Sequence, residues 1–502
     1  MTWQPSGGTR LTASFEHFEQ EYQADYGTPV IGDRPVRLPV ERSFGDPNDP
    51  MDHERRTQFG TDLLHRLNDT WAIQHRFLYG KLHGDSTFIN PTPAFGEAIR
   101  ADLRTMDRNV FKQFADQEIY ATNLDLTGTL GEGPIRHHLL FGVDYAYGRT
   151  LYPFFGDYET PNPALAIDIF NPGPSYGIDP ALIRSTLTRA SSPDNYSVFK
   201  DELYGAYVQD QIDVGSRTHV LIGGRYDQAK TGRGSGPSES VAEDNLPSPL
   251  RDDTAFSPRI GALYELTPAV GVYASWSQSF GANNGISSTG ESFDPQKGEQ
   301  YEVGMKAEGF DRRLLTNLAL YHLTKTNLLT PDLSTPDAND SIAIGEQRSR
   351  GVELDVAGQL NDALSIIASY AYTDAEVTRD NGGSEGRRLP NVPEHALTLW
   401  AKYTFLNSSL SGLSLALGGI AQDQREGDLA NSFQLPGFAR IDAMASYPFK
   451  LGSQALVAQF NVRNVFDTQY YESTDPDANV APRLGVYVGD PRTFIARIKL
   501  EF

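Results

Sequence analysis

The last ten residues of the chain, TFIARIKLEF at 493–502, alternate between apolar and polar side chains. Every second residue, beginning with Phe494, is apolar, and Arg497, Lys499 and Glu501 occupy alternate positions. Because successive side chains of a strand point to opposite faces, the segment is predicted to be a β-strand with one apolar surface. The pattern recurs along the chain and indicates an all-β protein, but a sandwich would show the same alternation.

The lengths of the segments and of their connections decide between a sandwich and a barrel. Eighteen segments carry the alternating pattern, near 11–22, 56–67, 71–84, 117–130, 136–149, 202–213, 218–229, 254–265, 270–281, 298–308, 314–328, 344–358, 364–378, 394–405, 411–424, 433–447, 454–470 and 491–502. Most exceed ten residues, whereas an ordinary soluble strand has about five or six. Tight turns, such as GEGP at 131–134, alternate with long loops, such as 150–201. This arrangement is typical of a transmembrane antiparallel β-barrel in the bacterial outer membrane, with the long loops outside.

Composition excludes several classes of function. The chain has 65 acidic and 43 basic side chains, a formal net charge of −22, which argues against a nucleic-acid partner. It has no cysteine, so disulfide scaffolds, thiolate zinc sites and cysteine nucleophiles are excluded. No uninterrupted apolar run reaches 18 residues, and the first ten residues, MTWQPSGGTR, do not resemble a secretory signal.

The sequence contains no recognisable catalytic motif or metal-binding motif. Nucleophile elbows, zinc-binding helices and phosphate loops are missing. His137 and His138 are neighbours on a predicted strand, so they point to opposite faces and cannot share one metal ion. The acidic segment 45–54 lacks a fixed spacing of calcium ligands. We expect a protein that is not an enzyme and that has no cofactor.

A series of strings in the second half of the chain resembles a known family. These strings are YGAYVQDQIDV (204–214), GGRYD (223–227), SPRIGALYEL (257–266), YASWSQSF (273–280), KGEQYEVGMK (297–306), LYHLTKTN (320–327), GEQRSRGVELDV (345–356), SYAYTDAEVTRD (369–380), LPNVPEHALTLWAKYTF (389–405) and FNVRNVFDTQYY (460–471). In this order they resemble the barrel of a TonB-dependent siderophore receptor, and in particular the ferrichrome-type hydroxamate receptors. Before residue 200 the resemblance is looser.

The resemblance implies that residues 1–502 form only part of a receptor. Family members have a signal peptide, a segment that contacts TonB and a globular plug, all before a barrel of 22 strands. With 18 strands seen, four strands, the plug and the signal peptide are expected to be missing, and residues 2–5 resemble the end of the fourth strand. Two strand edges would then be free in lipid. Either they pair with each other in an 18-stranded barrel, or the missing strands come from elsewhere.

The resemblance also implies a function, which is the import of ferric siderophores across the outer membrane. In the complete protein, an outer pocket captures the chelate, the TonB–ExbB–ExbD complex pulls on the plug through the missing N-terminal region, and the ligand passes through the lumen. Iron enters only as part of the ferric siderophore ligand. We expect a monomer that contacts outer-membrane lipid.

The family holds its ligand in an aromatic pocket on outer loops and strand ends, and aromatic side chains give large contact area at a small entropic cost. By position in the resemblance, the candidates for ligand binding are Tyr26, Tyr152, Phe154, Phe155, Tyr158, Phe280 and Tyr487. The next family aromatic after Tyr26 is Thr28 here. Each candidate could equally belong to the aromatic girdle or pack one loop against another.

Three alternatives to import remain. One is a passive, plug-free pore made by closing 18 strands. Another is a truncated receptor without function. The last is a soluble, carbohydrate-active β-protein with catalytic carboxylates, which the apolar strand faces disfavour.

Overall fold

The structure is a computed structural model. It describes the chain except for residues 24–26, 46–51, 92–98, 157–161, 173–180, 182–194, 283–292, 336–340, 408, 475–482, 484 and 502.

One antiparallel sheet dominates the described residues, and each of its strands pairs with its neighbours in chain order. Within the described ranges it has nineteen strands: β1 Thr2–Ser6, β2 Thr9–Tyr22, β3 Asp52–Arg66, β4 Trp71–Pro91, β5 Arg108–Leu130, β6 Ile135–Gly156, β7 Tyr196–Val214, β8 Thr218–Gly236, β9 Arg251–Thr267, β10 Val270–Gly281, β11 Gln296–Gly309, β12 Leu314–Pro331, β13 Ser341–Gln359, β14 Leu364–Arg379, β15 His395–Thr404, β16 Ser414–Gln422, β17 Phe438–Leu451, β18 Gln454–Arg463 and β19 Thr493–Glu501. All eighteen predicted strands are present, and β1 is the predicted end of an earlier strand.

The predicted strand bounds are wrong mainly at the outer ends, where the long loops begin. The strand predicted near 117–130 starts at Arg108, and the one predicted near 136–149 continues to Gly156. Above the lipid, the outward face of a strand need not be apolar, so the alternation on which the prediction rests fades there. One strand is shorter than predicted: the strand predicted near 454–470 ends at Arg463.

The remaining elements are short and belong to the outer loops. Four pairs of short strands occur among the described residues, namely Val30–Ile31 with Arg34–Pro35, Thr105–Met106 with Ile167–Asp168, Arg425–Glu426 with Gln434–Leu435, and Tyr471–Thr474 with Val486–Val488. A 3₁₀-helix spans Pro163–Leu165, and an α-helix, α1, spans Glu239–Asp244. None of the helices in these ranges is long and apolar enough to cross a membrane.

The two faces of the sheet differ in chemistry. On β19 the apolar residues Phe494 and Ile498 are 63% and 70% exposed, as expected for side chains that face lipid rather than a protein core. Residues directly opposite each other on paired strands share a face, so the pairing register extends this outward face from strand to strand. The other, inward face carries polar groups such as Asp125 and Arg225, and it lines the lumen.

The sheet is open along one side. Within the described residues, β1 pairs only with β2, and β19 pairs only with β18. The closed 18-stranded barrel, which is the first of the two alternatives for the strand edges, is therefore absent from this structure. The backbone groups along the free edges of β1 and β19 have no strand partner in the described part of the chain.

Candidate ligand-binding site

Three phenylalanine rings form a stack on the inward face at the outer end of the sheet. The ring of Phe111 on β5 lies between Phe88 on β4 and Phe154 on β6, with centroid distances of 4.7 and 4.9 Å and interplanar angles of 26° and 18°. Phe111 is 9% exposed, and the other two rings are partly exposed. Because Phe111 is covered on both faces, the stack offers a compact organic ligand its ring edges and the outer faces of Phe88 and Phe154.

A second group of inward side chains continues this surface across the next two strands. The ring of Phe199 on β7 stands edge-on to Tyr152 on β6, with 6.0 Å between centroids and an angle of 81°. The guanidinium carbon of Arg233 on β8 lies 5.3 Å from the centroid of Phe199. We call Phe88, Phe111, Phe154, Tyr152, Phe199 and Arg233 the inner platform.

The platform faces the lumen because the register of its strands is unbroken. Phe88 lies opposite Phe111, and Phe199 lies opposite Arg233, so each pair shares a face. Counting along β8 in steps of two leads from Arg233 to Arg225, which is part of the polar inward face. Residues at the alternate positions of the same strand, such as Tyr226 and Ile222, are exposed on the lipid side.

Helix α1 supports the platform from behind. Ala242 packs with Leu151 of β6 and Val198 of β7 in a buried apolar cluster on the outward side of the sheet. Arg149 donates hydrogen bonds to Glu239 and Glu243 of the helix at 2.8 and 2.9 Å. A side chain at Gly234 would collide with the carbonyl oxygen of Ala242, which is why a glycine lies beneath the helix.

Below the platform, the inward face carries a network of paired charges. The hydroxyl of Tyr207 donates to Asp125 at 2.5 Å, and Arg76 donates to the same carboxylate at 3.3 Å. Arg225 donates to Asp144 at 2.6 Å. The described residues contain no group of histidine and carboxylate side chains arranged to hold a metal ion. His137 and His138 pair with different aspartates, as their opposite faces predict.

A further aromatic and charged group lies on the inward face of β17, far along the sheet from the platform. Phe438 and Tyr470 are 4.4 Å apart between ring centroids. Arg440 donates to the Tyr470 hydroxyl at 2.7 Å and to Asp442 at 3.1 Å. The cation of Arg440 is already paired and Tyr470 is buried, so this group can offer a ligand only the partly exposed ring of Phe438.

The structure divides the predicted aromatic cluster between the two faces. Tyr152 and Phe154 belong to the inner platform, whereas Phe155 points outward and contacts Phe114 and Tyr196, each at 6.1 Å between centroids. Tyr26 and Tyr158 lie outside the described residues.

The remaining two candidates lie away from the platform. Phe280 lies opposite Lys297 and shares the outward face of β10 with Val272 and Trp276. Tyr487 is partly buried in the short strand Val486–Val488. Of the five candidates that the structure describes, it brings together Tyr152 and Phe154 only, and a ligand role for every candidate stays a prediction.

The prediction missed Phe88, Phe111, Phe199 and Arg233. Each lies a few residues beyond the outer end of the strand predicted from the sequence. Continuing the alternation of the inward residues past those bounds would have found all four, because the register runs on without a bulge.

A separate cluster joins outer loops from the two ends of the open sheet. Val30 follows β2, Phe433 and Leu435 lie between β16 and β17, and Tyr471 and Val486 precede β19, and all five are buried together. The amide of Thr28 donates to the carbonyl oxygen of Val486 at 2.6 Å, and the reverse bond is 3.2 Å. We call these residues, with Thr28, the loop clasp.

Comparison with known proteins agrees with this architecture. The family described as TonB dependent receptor-like, beta-barrel matches residues 2–465. The metal-pseudopaline receptor CntO of Pseudomonas aeruginosa strain UCBPP-PA14 is 33% identical over 506 residues, which are 100% of this chain and 67% of that protein. The ferrichrome outer membrane transporter/phage receptor of Escherichia coli strain K12 is 31% identical over 495 residues, 94% of this chain and 63% of that protein. The chain thus spans about two thirds of the length of these relatives or slightly less.

A solved structure shows the same fold. The siderophore receptor PiuA from Acinetobacter baumannii superimposes with a TM-score of 0.83 at 20% identity, over 99% of this chain and 72% of that one. These matches confirm the predicted family and the outer-membrane location. The family consists of receptors and transporters, so the prediction that the protein is not an enzyme is confirmed as well. The chain belongs to the TonB-dependent receptor-like β-barrel family.

Proposed function

We propose that this chain forms the barrel of an outer-membrane receptor that imports ferric siderophores of the hydroxamate type with energy from the TonB complex. The observation that carries the proposal is the inner platform, an aromatic surface facing the lumen at the end of the sheet that bears the long loops. The name of the ferrichrome relative favours a hydroxamate ligand.

The chemistry of the platform suits such a ligand. Three hydroxamates neutralise one ferric ion, so the chelate is compact and uncharged, with an apolar surface around its metal. The stacked rings of Phe88, Phe111 and Phe154 offer contact area while losing little rotamer entropy. A buried aromatic anchor of this kind typically contributes about 1 kcal/mol or more to binding.

The proposed mechanism involves no covalent chemistry. The platform captures the chelate at the outer end of the lumen. The TonB complex then acts on the part of the receptor that lies in the lumen of complete family members, and the chelate moves past the charged network around Asp125 and Arg225. That network is internally paired, so it offers few free charges to retain an uncharged ligand.

Uptake of ⁵⁵Fe-labelled ferrichrome by iron-starved cells tests the proposal. Cells that produce the full-length gene product should accumulate iron, and cells that lack it should not. Accumulation should stop when the proton gradient is collapsed by an uncoupler. Uptake that persists without the gradient would favour a passive pore, and no uptake at all would contradict a hydroxamate transporter.

A second candidate ligand is a metal–pseudopaline chelate, which one relative is named for. That relative is 33% identical over the whole of this chain, slightly more than the ferrichrome relative. The same cells can be offered metal–pseudopaline in place of ferrichrome. Uptake of this chelate without uptake of ferrichrome would support the receptor function and identify metal–pseudopaline, rather than a hydroxamate, as the ligand.

A further inference from the structure

We propose that Arg233 contacts the bound chelate directly, through anionic oxygens at the rim of its metal centre. This inference rests on the proposed function and adds a residue that determines specificity. The anionic oxygens could be those of hydroxamates or of carboxylates, because a guanidinium binds both through the same pattern of N–H donors.

The position of Arg233 places its side chain on the wall of the lumen. It lies directly opposite Phe199 in the continuous register of β7 and β8. Its neighbours Gly232 and Gly234 occupy positions of the outward face, where a side chain at Gly234 would contact helix α1. Arg233 is exposed, so its guanidinium is open to a ligand in the lumen.

The guanidinium is held in place but is not neutralised. It lies over the ring of Phe199 at 5.3 Å, and one of its nitrogens donates to the Ser197 hydroxyl at 3.3 Å. Among the described residues it forms no ion pair. Asp201 lies two residues from Phe199 on the same face, but its carboxylate is not within ion-pair distance of the Arg233 guanidinium.

Other inward arginines near this wall are already paired, which sets Arg233 apart from them. Arg225, lower on the same strand, donates to Asp144 and Asp227 at 2.6 and 2.7 Å. Arg251, on β9, is paired with Asp253 at 2.9 Å. These two have structural partners for their charge, whereas the charge of Arg233 faces the lumen beside the aromatic rings.

The combination of ring and cation fits the edge of a chelate. The contact with Phe199 and the hydrogen bond to Ser197 restrict the guanidinium, and its remaining N–H groups can reach two oxygens at once. Tyr152, edge-on to Phe199, provides aromatic contact for the carbon skeleton of the same ligand. A lysine at this position would keep the charge but would lose the planar fork.

Binding measurements on the purified full-length protein in detergent test the inference. The probes are ferrichrome, an uncharged ferric trihydroxamate, and ferric dicitrate, a chelate with carboxylates. The variants are Arg233→Ala and Arg233→Lys. The control is Arg55→Ala, which removes an outward arginine paired with Glu19 at 2.9 Å. Heat-dependent migration on a gel shows whether each variant is folded.

We expect Arg233→Ala to lower the affinity for the probe that the unmodified protein binds by at least about fivefold, which is the scale for a contact residue at an interface. Arg233→Lys should recover part of this loss, and Arg55→Ala should bind like the unmodified protein. If Arg233→Ala does not fold, the comparison of Arg233→Lys with the unmodified protein decides, and equal affinity would overturn the inference.

The remaining outcomes separate the two proposals. Binding of ferrichrome with unchanged affinity in Arg233→Ala would overturn the role of Arg233 and leave the proposed function intact. Binding of ferric dicitrate alone, lost in Arg233→Ala, would support the role of Arg233 and contradict the hydroxamate ligand. No binding of either probe by the unmodified protein would overturn the inference together with the hydroxamate proposal.

Discussion

The inner platform and the loop clasp both place aromatic side chains at the outer end of the molecule, but they are built differently. In the platform, Phe88, Phe111 and Phe154 project from regular strands and present their rings to the lumen. In the clasp, Phe433 and Tyr471 come from different outer loops and are buried in one cluster, in which Val486 is 0% exposed.

The difference shows which aromatic residues can serve a ligand. A ring on a strand faces the lumen or the lipid according to its position in the alternation. In the platform, Phe88 and Phe154 stay partly exposed on the lumen side, and Phe111 is covered between them. A ring in the clasp has already buried its surface against other loops, so its removal should cost stability rather than affinity. Substitutions in the two regions should therefore affect different measurements.

The largest effect is expected for Val486→Asp, in the clasp. A carboxylate placed among Val30, Phe433 and Leu435 would lose its hydration in a buried apolar cluster, and a cost of about 3 kcal/mol in local stability is the usual scale for such a change. The outer loops should become sensitive to protease while the strands remain protected. Leu333→Asp is the control, because Leu333 is 73% exposed in another outer loop. Equal protease sensitivity of the two variants would contradict the clasp.

A smaller effect is expected at two neighbouring rings of β6. Phe154→Ala should weaken the binding of ferrichrome by about 1 kcal/mol, because its ring forms part of the platform. Phe155→Ala serves as the matched control, since its ring points outward against Phe114 and Tyr196. Binding constants from fluorescence quenching would test the pair, and an equal loss in both variants would mean that alternation does not select the ligand residues.

The smallest effect is expected at an outer turn that belongs to neither region. The hydroxyl of Thr105 and the amides of Thr105 and Arg104 donate to Asp102 and lower the pKa of its carboxyl to about 2. Because the folded state holds the charged form, this contribution is complete above the unfolded pKa of about 3.9 and is lost as the pH falls towards 2. NMR titration of ¹³C-labelled aspartate, with Asp102→Asn to assign the signal, should give a midpoint near 2. A midpoint near 4 would mean that these hydrogen bonds are not formed.

Much of the strand architecture could be predicted from sequence because lipid imposes a strict alternation on the outward face. The segment TFIARIKLEF shows it without exception on its apolar side. Residues 2–5, which the family resemblance places at the end of a strand, belong to β1. Where the strands leave the lipid, this constraint ends, and the platform residues Phe111 and Arg233 fell outside the predicted bounds for that reason.

The placement of Phe280 could also have been predicted. Val272, Ala274 and Trp276 set the outward face of its own strand, and Phe280 continues it. Its match to a family pocket residue is what places Phe280 among the ligand candidates.

The clasp could not be predicted from the sequence. Thr28 and Val486 are separated by almost the whole chain, and neither lies in a periodic segment. Their contact exists only in the folded structure, which brings outer loops from the two ends of the open sheet together.

The structure of the full-length protein with ferrichrome bound would show whether the inner platform is the binding site. We predict that the chelate lies against the rings of Phe111 and Phe154, with Arg233 within hydrogen-bond distance of its oxygens. A chelate bound elsewhere, for example beside Phe280 on the outward face or against Phe438 and Tyr470, would contradict it.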